Sequence, residues 1–198
     1  MAWTYEQKFD GLTTGDLNGQ DSWSGSTNYD VSTTNPAEGT KCVTITGDAT
    51  ERQISRTITA VNDGIFYVSM RSADTSHLFV LKIFSVGGQL TSLNFHPTGP
   101  NIWVYNGATP TNIVTTWTAN TWYRFGIEII GDGTFKINVD GGAWSAAYAY
   151  QDATGDDDVD QILFELAASY SGEAAFDFIS PNYVESAATN TSNFFSVL

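Results

Sequence analysis

Tyr123-Arg124-Phe125-Gly126-Ile127-Glu128-Ile129-Ile130-Gly131-Asp132-Gly133-Thr134-Phe135-Lys136-Ile137-Asn138-Val139 is the stretch that decides the fold class. Successive side chains of a strand point to opposite faces, so a two-residue period marks a half-buried strand. Tyr123, Phe125, Ile127 and Ile129 supply a core face, and Arg124, Gly126, Glu128 and Ile130 a more exposed one. Gly131-Asp132-Gly133 is a turn, because glycine tolerates the positive φ that tight turns require. Phe135, Ile137 and Val139 then alternate with Thr134, Lys136 and Asn138, and Asp140-Gly141-Gly142 closes that strand. The segment reads as a β-meander.

The same grammar extends upstream. Residues 65–71 place Phe66, Val68 and Met70 on one face. Residues 78–86 are apolar on both faces apart from Lys82 and Ser85, the pattern of a central strand. Gly87-Gly88 turns the chain into residues 89–95, and Pro97, Gly99 and Pro100 break it. Residues 102–105 and 113–117 are shorter runs, 42–46 reads as a strand, and Thr57-Ile58-Thr59 ends another. Residues 18–35, rich in Ser, Thr, Asn and Gly, read as a long ordered loop anchored by Trp23 and Tyr29. Residues 159–168 fit either a helix (Val159, Ile162, Leu163, Leu166) or a strand (Ile162, Phe164, Leu166 inward). Short strands with turn signals at this spacing predict an all-β sandwich or barrel.

The chain has 198 residues, of which 41% are hydrophobic and 14% aromatic, enough for one sizeable core. Residues 1–185 are expected to form one domain, and 186–198 a polar linker with an apolar tail. In that tail Phe194, Phe195, Val197 and Leu198 need burial, by folding back or by docking into a neighbouring subunit as an assembly element. Eight Lys and Arg against 22 Asp and Glu leave a net charge of −14. Such a surface repels phosphate backbones and anionic lipid, which argues against nucleic acid as a partner. No run approaches the ~18 apolar residues of a membrane span, so no insertion is expected. Cys42 is the single cysteine, so no intrachain disulfide forms, and its strand context predicts a buried inert thiol. Residues 1–8 lack the basic start and apolar run of a secretory signal. Either the protein is made without a signal or a signal has been cut away; the expected location is extracellular or on a virion surface, and a product of the first kind suits a phage or virus.

The order of segments carries a resemblance. Phe9-Asp10-Gly11-Leu12 and then Gly15-Asp16-Leu17-Asn18-Gly19-Gln20-Asp21-Ser22-Trp23 resemble the opening of concanavalin A-like (laminin-G-like) jelly-roll domains. Thr121-Trp122-Tyr123-Arg124-Phe125 through Phe135-Lys136-Ile137-Asn138-Val139-Asp140-Gly141 resembles their hairpin, and Phe176-Asp177-Phe178-Ile179 their closing strand. The resemblance implies a two-sheet antiparallel jelly-roll sandwich. That fold hosts lectins, glycan-binding modules, glycanases, lyases and viral surface proteins, so it leaves function open.

Sugars stack their C–H faces on flat rings, which nominates Trp103, Tyr105, Trp117, Trp144 and Tyr148 for carbohydrate binding, with Tyr150 beside them; Trp122 is assigned to structure. A glycanase needs two carboxyl groups flanking the scissile bond. The resembling retaining glucanases carry Glu-x-Asp-x-x-Glu on one strand, a spacing absent here; Asp160 and Glu165 differ in strand parity. A lyase needs a base and an electrophilic cluster, and His77 and His96 are the two histidines. Residues 152–160 are rich in oxygen ligands, with Asp156 and Asp158 the candidates for Ca²⁺, but lack an EF-hand's closing Glu. The resemblance implies a second calcium position, between first and last strands, where Asp10 and Asp177 match. The expected function is a non-catalytic carbohydrate-binding or adhesion module with a cell-surface or extracellular glycan as partner. The alternative is a phage or virus structural protein, a homo-oligomer or bound to other virion proteins by its tail. Glycoside hydrolase or lyase activity stands third.

Overall fold

In the computed structural model, which describes residues 2–48, 50–73, 75, 78–96, 101–151, 158–168, 170 and 172–182, the meander is formed as read. Strands β1 to β15, in chain order, are Gly15–Asp16, Ser24–Gly25, Tyr29–Ser32, Cys42–Thr46, Arg52–Val61, Gly64–Ser72, Phe79–Ser85, Gly88–His96, Asn101–Asn106, Thr109–Val114, Tyr123–Ile130, Thr134–Val139, Tyr148–Ala149, Val159–Leu166 and Glu173–Ser180. β11 pairs with β12 from Phe125 opposite Val139 to Ile130 opposite Thr134. Gly133 closes their turn at φ 79°, a conformation that a Cβ would strain. Among the described residues there is no helix, and every strand pair is antiparallel.

The strands make two sheets. One runs β1-β3-β4-β15-β6-β11-β12-β13 and the other β10-β9-β8-β7-β14-β5-β2. This is the jelly-roll sandwich expected from the sequence. The inward rows of the two sheets meet in an aromatic core. Phe164 of β14 and Phe176 of β15 stack across the layers at 3.7 Å between ring centres, nearly parallel. Trp23, Phe9 and Tyr29 pack around Phe176. The Tyr29 hydroxyl donates to the Phe164 carbonyl at 3.0 Å, which gives the buried phenol a partner.

Four sequence expectations change or resolve. Residues 159–168 contain a strand, β14, with Ile162, Phe164 and Leu166 in the core. Pairing on both sides, to β5 and β7, selects strand over helix. The 18–35 segment is more than a loop: it holds β2 and β3, and Tyr29 and Val31 enter the core from β3. β7 is central in its sheet, as its two apolar faces imply. The face that Arg124 occupies is covered rather than exposed; Arg124 is 6% accessible.

The cover is a strap, residues 35–41. Asp177 Oδ2 accepts from the Ala37 and Glu38 amides at 2.9 and 3.0 Å. Asp10 Oδ1 accepts from the Thr40 and Lys41 amides at 2.6 and 3.0 Å. Glu38 pairs with Arg124, and the Trp122 indole donates to the Asn35 carbonyl at 3.1 Å. Gly39, at φ 60°, packs so close to the Asp10 carboxylate that a Cβ would collide with it. Beneath this cover Cys42 is fully buried, and burial, with Asp177 nearby, pushes its thiol up to about 12. A thiol so far from ionisation is a weak nucleophile. The tail residues Phe194, Phe195, Val197 and Leu198, together with Asp156 and His77, lie outside the described residues.

Candidate functional site

The face of the seven-stranded sheet turned away from the core carries a candidate site. On β7, Phe79, Leu81 and Ile83 enter the core, so Val80 and Lys82 point outward. On β14 the same parity puts Leu163 and Glu165 outward, on β8 Ser92, Asn94 and His96, and on β9 Trp103 and Tyr105. Strand register aligns these residues. Gln53 lies opposite Glu165, Glu165 opposite Val80, Val80 opposite Asn94, and Asn94 opposite Trp103. One row thus crosses five strands.

Glu165, Val80, Asn94 and Trp103 of this row, with their neighbours, line a groove of about 380 Å³, within the range of small-ligand sites. Val80, Ser92 and Asn94 are its floor, and Leu78, Lys82, Gln89, His96, Trp103, Tyr105, Gln151 and Glu165 complete the lining. Trp103 meets Tyr105 edge-on at 4.8 Å between ring centres, and His96 lies 5.5 Å from Trp103. Both large rings are half-buried, held by their neighbours yet open to the groove. Across the floor, Lys82 Nζ donates to Glu165 Oε2 at 2.5 Å, and Gln53 Nε2 donates to the same oxygen at 2.7 Å. Asn94 Nδ2 donates to the Ser92 carbonyl and hydroxyl at 3.1 and 2.9 Å. Flat rings at one end and fixed polar groups at the other suit a ligand with apolar faces and hydroxyl edges.

The five aromatic candidates separate. Trp103 and Tyr105 share the groove. Trp117 is 2% exposed and packs edge-on against Phe95 inside the sandwich, so its ring has no face for a ligand. Tyr148 sits on β13 at the edge of the other sheet, against Phe135 and beside a cavity of about 280 Å³. Trp144 is half-buried in the segment between β12 and β13. Tyr150 is buried and stacks on Phe135.

Two of the calcium candidates have a structural role. Asp10 and Asp177 both anchor the strap by accepting backbone N–H groups. The oxygens so engaged are Asp10 Oδ1 and Asp177 Oδ2, one on each carboxylate. Burial tends to raise the Asp10 carboxyl, but bonds from Thr40 and Lys41 outweigh it and hold it below the ordinary range. Burial dominates at Asp177 and lifts its carboxyl to about 7, against the pull of three backbone amides. Asp158 is half-buried immediately before β14. No cluster of three metal-ligating side chains forms among the described residues.

Lys82, Glu165, Gln53, Asn94 and Ser92 were not singled out as ligand contacts by the sequence. Their signal is visible afterwards: Lys82 is the lone charge in an apolar central strand, and Glu165 interrupts the apolar run of β14. Only the register, set by long-range pairing, shows that they meet.

No family model matches the chain, and no curated protein sequence matches it. Solved structures do. A sialidase matches at a TM-score of 0.68 and 12% identity, over 89% of this chain and 18% of the sialidase. The chain therefore spans less than a fifth of that enzyme's length. A Bacillus licheniformis beta-glucanase matches at 0.58 and 12% identity, over 88% of this chain and 95% of the other. A tetrameric galectin from the ball sponge Cinachyrella sp. matches at 0.50 and 16% identity, over 66% and 99%. Identities this low concern the backbone path and leave the chemistry of each site to its own residues. By sheet order, strand pairing and these likenesses, the chain has the concanavalin A-like jelly-roll fold.

Proposed function

We propose that the protein is a carbohydrate-binding module that works without catalysis, and that the groove on its seven-stranded sheet is the glycan site. The observation that carries this reading is the placement of Trp103 and Tyr105 on the same face as the Lys82–Glu165–Gln53 cluster. Rings give a sugar an apolar platform, and hydrogen-bonding groups fix its orientation. The galectin likeness supports a binding role for this fold, while the sialidase and glucanase likenesses keep hydrolysis in view. Glycoside hydrolysis by the usual routes needs a second carboxyl group across the scissile bond. Among the described lining residues Glu165 is the groove's one carboxylate, and it is engaged by Lys82 and Gln53. A glycan ligand also agrees with an extracellular or surface location.

A glycan array probed with the protein and with a Trp103→Ala/Tyr105→Ala variant tests the reading. Saturable binding lost in the variant, with an unchanged melting temperature, is the expected result. Equal binding by both proteins would move the site elsewhere, and release of reducing sugar from a bound glycan would replace binding by catalysis.

A further inference from the structure

Building on the glycan-binding reading, we infer that the ligand is a neutral oligosaccharide of at least three sugar units lying across the strands, stacked on Trp103 at one end and held through adjacent hydroxyls by Lys82 and Glu165 at the other. The length comes from the register. Glu165, Val80, Asn94 and Trp103 occupy one row on four neighbouring strands. Three strand spacings of ~4.8 Å separate its ends by about 14 Å, roughly the length of three linked sugar rings. Directly opposed residues point to the same face, so both ends address the same groove. The middle of the row is Val80 and Asn94, low side chains that leave a trough between taller ends.

The hydroxyl preference comes from unused hydrogen-bonding capacity. Lys82 and Gln53 both bind Glu165 Oε2. Glu165 Oε1 accepts nothing from the described residues and keeps contact with solvent, although the residue is 8% exposed. Lys82 has three N–H donors and uses one on Glu165. An ammonium that donates beside a carboxylate oxygen that accepts matches two neighbouring hydroxyls, one in each role. Asn94 uses its amide hydrogens on Ser92 and leaves its own oxygen as an acceptor midway.

Neutrality follows from charge. Among the described lining residues Lys82 is the one Lys or Arg, and its charge is balanced by Glu165 at 2.5 Å. The remainder of the protein, at −14, opposes uronate and sulfate groups.

Calorimetric titration with ladders of gluco-, galacto-, manno- and xylo-oligosaccharides, one to six units long, with a uronic-acid ladder beside them, tests the inference. The proteins are the full chain, Trp103→Ala, and a Lys82→Met/Glu165→Leu variant. Replacing the ion pair by apolar groups of similar size avoids a lone buried charge, and melting temperatures show that both variants fold. In at least one neutral ladder, affinity should rise about tenfold or more between two and three units and then level off. The step from two to three units should vanish in the Lys82→Met/Glu165→Leu variant while two-unit binding holds, and Trp103→Ala should weaken every length. A single sugar bound as tightly as six, or binding confined to uronic acids, overturns the inference. It leaves the glycan-binding reading intact if Trp103→Ala still abolishes that binding. Silence from every ladder counts against both.

Discussion

The two sheets treat their non-core faces in opposite ways. On the eight-stranded sheet, Arg71, Arg124 and Asp177 are buried, and their groups are engaged by Glu173, Glu38 and the strap amides. On the seven-stranded sheet, Lys82 and Glu165 pair with each other and face a groove that no chain segment among its described lining residues fills. Both faces carry charge at the same strand parity. The difference is whether a chain segment lies over them: the strap closes over Arg124 and Asp177, whereas Lys82 and Glu165 line a groove. Charged groups under a strap are tied to the protein; charged groups in a groove have hydrogen-bonding capacity within reach of a ligand.

The sharpest way to test that contrast is to compare two tryptophans. Trp117→Ala removes a core ring and should destabilise the fold by about 3–5 kcal/mol, measured by urea denaturation. Trp103→Ala, by the same measurement, should change stability by under about 1 kcal/mol while removing glycan retention. Equal losses of stability would mean that the groove ring is a core element. Next comes the strap. Arg124→Met leaves the Glu38 carboxylate without its partner and should cost about 3 kcal/mol. Glycan affinity at the opposite sheet should stay unchanged, and a parallel loss would couple the two faces.

Proton linkage gives a smaller effect. The Asp177 carboxyl titrates at about 7 in the folded protein, above its ordinary value. Folding therefore takes up a proton between about pH 4 and about pH 7. Its contribution to stability is present below about pH 4, declines through that window and is flat above it. Asp177→Asn should flatten the melting-temperature profile across the window; an unaltered slope would assign the linkage to another group. The smallest change is expected from Trp144→Ala, whose ring lies outside the groove lining. Retention should stay within about twofold of the parent.

Much of the fold could be read from the chain because alternation and turn chemistry are local. The 123–139 hairpin, the central β7 and the anchoring of Trp23 and Tyr29 needed no distant information. Residues 159–168 did need it, since Ile162 and Leu166 fit both periods, Val159 and Leu163 completing a helical set and Phe164 a strand set, until two neighbours paired with the segment. The site was half legible. Trp103 and Tyr105 share one strand and were nominated together; Trp117 carries the same chemistry in sequence, and only packing distinguishes it. Lys82 and Glu165 lie far apart along the chain, so their meeting is a property of register. Arg124 was expected on the more exposed face because a strap from residues 35–41 leaves no periodic mark in the hairpin it covers.

That strap also bears on how the molecule assembles. Its anchor at Asp177 is 140 positions from Ala37, and Arg124 is 86 from Glu38. Contacts of such separation close long chain loops and tend to form after local hairpins. A segment that docks late contributes little to the folding barrier, so Arg124→Met is expected to speed unfolding and leave the refolding rate nearly as it was, which stopped-flow kinetics checks. On that expectation, residues 35–41 act on the lifetime of the folded state more than on the speed of reaching it.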